Sequence, residues 1–135
     1  MLHQWPVWLK SFIRYWLPVV IYGGSIFYLS ALPDPLPAFG DALPEFNDKI
    51  LHGFEYGLFG ILWYRGFRYG MGEKGAQYAA ILAIVASILY GMSDEYHQWF
   101  VPLRTPEFAD LLADGVGAAV GVFTWQRVQR VIKNT

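Results

Sequence analysis

Asp48, His52 and Glu55 recur at i, i+4 and i+7, which places an imidazole and two carboxylates on one helix face, with Lys49 and Tyr56 beside them. Ser87, Gly91, Asp94 and Gln98 share a second face, flanked by Glu95 and His97, and Asp110, Asp114, Gly117 and Gly121 form a third stripe. Imidazole with carboxylates is a donor set for proton transfer, so His52, Asp94 and Glu95 are the catalytic candidates. The same donors suit a divalent metal, but no HExxH spacing is present. A histidine bonded to a neighbouring carboxylate is the more frequent arrangement, so a metal is not the favoured reading. Ser93 acts as a nucleophile only if His52 or His97 reaches it.

Charge balance sharpens the question. Lys49 and Arg104 are the bases nearest to Asp48, Glu55, Asp94, Glu95, Asp110 and Asp114. Two cations do not neutralise six carboxylates. Protonated acids, a water-filled cleft, or a cationic ligand or metal must make up the difference. The plainest role for Lys49 and Arg104 is pairing with Asp94, Glu95 and Asp110; the sharper one for Arg104 is to grip a phosphate or carboxylate.

The elements that carry these residues are apolar. The chain has 135 residues, 55% hydrophobic, 19% aromatic and 16% charged, with a formal net charge of −1 and no cysteine. A soluble domain carries roughly 25% charged residues. Near-neutral charge removes the basic footprint of nucleic-acid binding. The lack of cysteine excludes disulfides and thiolate chemistry. Tyr15–Pro33 and Gly75–Ser93 contain no charge, and Ile50–Tyr64 and Phe108–Gln126 are nearly as apolar. A span needs about 20 such residues, so the pattern predicts an all-α bundle of four transmembrane helices. These cover about 12–32, 48–66, 75–98 and 107–128, within a single domain 1–135.

Tryptophans and the Lys10/Arg14 pair before the first span read as an interfacial lead-in, and Pro18 as a kink or restart. Four prolines make Pro33–Asn47 an extended loop, and Asn47 or Asp48 is placed to cap the second helix. Gly66, Gly70 and Gly72 mark the next turn. Lys10, Arg14, Arg65, Arg68, Lys74, Arg127, Arg130 and Lys133 fall on one side if four helices alternate, leaving Lys49 and Arg104 on the other. That split predicts both termini in the cytoplasm and the acid-rich helix ends outside. Glycines at four-residue spacing let a neighbouring backbone approach, so the acids above them must also face inward.

The string Asp48-Lys49-x-x-His52-x-x-x-Tyr56 resembles the signature of the VanZ-like family. So do Ser93-Asp94-Glu95-x-His97-Gln98-x-Phe100-x-Pro102-x-Arg104 and Asp110-x-x-x-Asp114-x-x-Gly117-x-x-x-Gly121, and the likeness runs from Tyr28 to Phe123. Leu103 stands where that family usually has Gly, and Asp114 where Asn is common. The resemblance implies a four-helix protein of the prokaryotic cytoplasmic membrane, in a cell-envelope family named for a member linked to teicoplanin resistance, with no assigned biochemical activity.

The combined expectation is an outer-face polar cleft that binds a membrane lipid, a lipid-linked envelope precursor or a lipoglycopeptide. Its contact residues are Asp48, Lys49, His52, Tyr56, Asp94, Glu95, Gln98, Arg104, Asp110 and Asp114. The alternatives are a membrane-embedded hydrolase or transferase acting on lipid headgroups, and a purely structural envelope protein.

Overall fold

The computed structural model describes residues 5–33 and 45–134. Helix α1 runs Val7–Ser30, α2 Glu45–Gly70, α3 Gly72–Gln98 and α4 Phe108–Asn134. α1, α3 and α4 are long and apolar enough to cross a membrane. α2 does not reach that apolarity, because Asp48, Lys49, His52 and Glu55 crowd its first turns.

The lead-in and the first span form one helix. Phe12–Trp16 is a π-helical turn, and Pro18 opens the regular stretch behind it. Proline has no N–H for the Arg14 carbonyl one turn earlier, and the wider turn takes up that missing bond. The expected extended loop lies outside the described residues at 34–44, while residues 45–47 are already helical. Asn47 and Asp48 therefore lie inside α2, past its first residue, and not at the cap position expected for them; an acid in the first turns still favours the positive end of the helix.

Met71 alone separates α2 from α3, and Gly72 supplies the left-handed backbone of that turn at φ +71°. Gly66, expected in the turn, lies within α2. Its bare Cα makes room for the Trp16 ring, which a methyl there would meet at 3.2 Å.

α2 is the central element, packed on α4 and α3, with α1 against its flank. The α2–α4 crossing is closed by glycine. A methyl on Gly117 would collide with the Gly53 carbonyl, and one on Gly121 with the Gly57 carbonyl. Such close approach lets backbones supply van der Waals contact where lipid offers no hydrophobic drive. On α3, Gly75, Ala79, Ala83, Ser87, Gly91, Asp94 and Gln98 are all buried. On α4 the buried stripe is Asp110, Asp114, Ala118 and Val122. Each stripe is small and apolar along most of its length and acidic at one end. Both acidic ends lie at the same end of the bundle as the start of α2.

Candidate functional site

His52 lies between two aspartates of α4. Its Nδ1 is 2.9 Å from Asp114 Oδ1, and its Nε2 is 3.9 Å from Asp110 Oδ2. Asp114 is 2% exposed and Asp110 6%. Gly91 of α3 gives the Asp114 carboxylate its space, since a methyl there would come within 3.0 Å of Oδ2. The buried Tyr56 ring packs on the same glycine.

Lys49 continues the chain of charges outward. Its ammonium is bonded to Asp110, lies 2.7 Å from Glu107 Oε2 and 3.6 Å from Asp48 Oδ2. One cation thus binds the start of α2 to the start of α4. Its partners include Asp110, as expected, but Asp48 and Glu107 take the places expected for Asp94 and Glu95.

Arg104 departs further from expectation. It makes no ion pair among the described residues. Its Nε donates to the Leu32 carbonyl at 3.0 Å and its Nη2 to the Leu29 carbonyl at 3.4 Å. The last turn of a helix leaves carbonyls without intrahelical partners at the negative end of its dipole. The planar guanidinium satisfies the Leu32 carbonyl just past the helix and adds a second donor to the Leu29 carbonyl, which also accepts the Leu32 N–H, so it ties the loop before α4 to the end of α1.

Glu95 is also engaged, accepting the Glu107 N–H at 2.9 Å just ahead of α4. Asp94 behaves differently. It is 6% exposed, Gln98 donates to its Oδ2 at 3.2 Å, and its Oδ1 has no hydrogen-bond partner among the described residues. The Tyr56 hydroxyl is likewise buried without one, whereas the Ser30 hydroxyl of α1 lies close enough to the Asp94 carboxylate to act as its donor. His97 stacks on Phe27, with ring centroids 4.2 Å apart. Ser93 is exposed and donates to the Tyr90 carbonyl at 2.7 Å, which engages its hydroxyl outside the cluster.

A cavity of about 350 Å³ opens between α1, α2 and α3. His52, Glu55, Asp94, Gln98 and Arg104 give it a polar wall, and Leu51, Phe54 and Leu58 an apolar one. The contribution of α1 to this wall is not among the sequence expectations. Ser30 lines the cavity, and the Tyr22 hydroxyl donates to the Glu55 carbonyl at 3.0 Å. Their only sequence signal is a hydroxyl in an otherwise apolar span, which most often has no functional meaning. On the other side of the Phe54–Leu58 ridge lies an apolar groove of about 680 Å³ between α2 and α4, floored by the paired glycines.

One atom each of Asp48, His52 and Asp110 lies within 4.8 Å of the others, a spacing able to hold a metal ion. The Lys49 ammonium already sits on Asp110 and near Asp48, so a metal at this place competes with a resident cation.

Compared with known proteins, residues 8–129 match the family model VanZ/LLP1. No curated protein and no solved structure matches the chain significantly. The chain belongs to the VanZ/LLP1 family, as its motifs indicated, and its three apolar helices make it a membrane protein.

Proposed function

We propose that this VanZ/LLP1 member binds an amphipathic molecule, holding its headgroup in the cavity between α1, α2 and α3. The observation that carries the reading is the polar wall of that cavity, where Asp48, Glu55 and Asp94 face a single base, Arg104. Carboxylates in excess of their cations inside a bundle are costly, and donors supplied by a ligand offset that cost. The complementary headgroup is rich in donors, with amine, amide or sugar hydroxyl groups. Leu51, Phe54 and Leu58 form the lip over which an acyl tail leaves, and the α2–α4 groove lies just beyond it.

Lipids, lipid-linked envelope precursors and lipoglycopeptides have this chemistry. In the same reading α2 crosses the bilayer with the other three helices, its polar face turned to the bundle. Both termini lie in the cytoplasm and the cavity faces outward.

Binding is favoured over headgroup hydrolysis or transfer because both ring nitrogens of His52 face aspartates and Glu95 is engaged by the Glu107 N–H. The test is mass spectrometry of what co-purifies with the detergent-solubilised protein. An amphiphile retained by wild type and lost from Asp94→Leu, with helicity unchanged, supports the reading. Equal retention by both proteins overturns it.

A further inference from the structure

The opposite end of the bundle carries a second, independent cavity. His52 and Arg68 are sixteen residues apart on α2, and Asp114 and Arg130 sixteen apart on α4, which separates the two ends by roughly 24 Å at 1.5 Å per residue. There a polar cavity of about 270 Å³ is lined by Arg68, Tyr69, Gln126, Gln129, Arg130 and Lys133, with Ala76 from the second turn of α3. No carboxylate is among its lining residues. Arg68, Arg130 and Lys133 form no ion pair among the described residues.

Basic side chains at helix C-termini are ordinary, since they offset the negative dipole end and favour the cytoplasmic side. That accounts for their presence but not for their convergence on one concavity. The wall is also fixed in place. Gln129 Nε2 donates to the Tyr69 hydroxyl at 2.9 Å, joining α4 to α2 across it. The α3 N-terminus, with its positive dipole end, lies beside the same cavity. Two guanidiniums, one ammonium and amide donors, with no acid to compete, are the chemistry of phosphate recognition.

We infer that this basal cavity binds a phosphate group, supplied by an anionic phospholipid headgroup or by a soluble phosphate. Basic pockets between helix ends at a membrane surface are suited to such headgroups.

The test uses the full chain in uncharged detergent. Native mass spectrometry reads binding of phosphatidylglycerol against phosphatidylcholine, and thermal melting reads inorganic phosphate. Three proteins are compared: wild type, Arg130→Gln with Lys133→Gln, and a charge-matched control, Arg65→Gln with Arg127→Gln. All four positions lie outside the proposed headgroup cavity.

The expected result is a preference for phosphatidylglycerol or a rise in melting temperature with phosphate. Either is weakened at least tenfold by the Arg130/Lys133 pair and little by the control. Lipid preference without a phosphate response assigns the lipid headgroup; a phosphate response without lipid preference assigns a soluble ligand. Equal loss in both variants reduces the effect to diffuse charge and overturns the site, as does the absence of both responses.

Discussion

The His52 imidazole and the Asp114 carboxylate meet at 2.9 Å across the α2–α4 interface, with Asp114 almost completely buried. Removing the imidazole leaves that carboxylate without its ring partner, a loss of roughly 3–5 kcal/mol for a buried pair. His52→Ala is expected to lower the melting temperature strongly. Asp114→Asn keeps an acceptor oxygen at the same place and is expected to cost only about 1 kcal/mol. A double-mutant cycle in one detergent isolates the coupling. A coupling near zero would show that the two residues are merely adjacent.

Glycine at 117 and 121 is predicted to be irreplaceable, in contrast to glycine at 24. A methyl at either α4 position runs into the α2 backbone, which has no flexible atom to yield, whereas a methyl on Gly24 would meet nothing within 4 Å. Gly117→Ala is expected to cost about 2 kcal/mol or more by prising the helices apart. Gly24→Ala should be neutral or slightly stabilising, given the better helix propensity of alanine. Melting temperatures of the two variants decide it, and equal values would refute the close crossing.

The helices and their acidic ends were legible in the sequence because both are periodic. Residues such as Ser87, Gly91, Asp94 and Gln98 announce a shared face by spacing alone, and the structure buries all four. The partners of the two cations were not legible. Arg104 binds carbonyl oxygens of Leu29 and Leu32, and every residue carries a carbonyl, so no residue type points to such an acceptor. Glu107 reaches Lys49 because the loop after α3 reverses at Leu103, a local turn that a count of acids and bases does not contain.

Leu103 is predicted to be a strained residue whose replacement stabilises the protein. It has φ +67°, the one positive φ outside glycine among the described residues, and its side chain is 91% exposed. A left-handed backbone costs a residue with a Cβ roughly 1–2 kcal/mol. So little of this side chain is buried that almost no contact opposes the change. Leu103→Gly should raise the melting temperature by an amount equivalent to about 1 kcal/mol, partly offset by the greater chain entropy of glycine when unfolded. A lowered value would mean that the leucine side chain, despite its exposure, contributes to the fold.

The proposed topology places position 38 outside and position 74 inside. The natural absence of cysteine allows single-cysteine variants at Ala38 and Lys74 without a background to remove. A membrane-impermeant thiol reagent on intact cells should label the first and spare the second until the membrane is opened. The reverse pattern would invert the bundle and turn the polar cavity to the cytoplasm.

Arg104 joins the end of α1 to the loop before α4, and it also lines the polar cavity. Its structural bonds go to carbonyls, and it forms no direct ion pair with a carboxylate among the described residues, so deleting it breaks no buried salt bridge. The loss expected for Arg104→Ala is that of charge-assisted hydrogen bonds, roughly 1.5–3 kcal/mol, and not the larger cost of a broken buried ion pair. Lysine keeps the charge but reaches one carbonyl where the guanidinium fork reaches two, so Arg104→Lys should fall between alanine and wild type. Losing this tether also loosens α1, which supplies Ser30 and Tyr22 to the cavity wall. Retention of the co-purifying amphiphile should therefore drop in both variants, in the same order as their melting temperatures. An alanine variant that melts like wild type would sink the tether, and one that melts lower yet retains the amphiphile would separate α1 docking from binding.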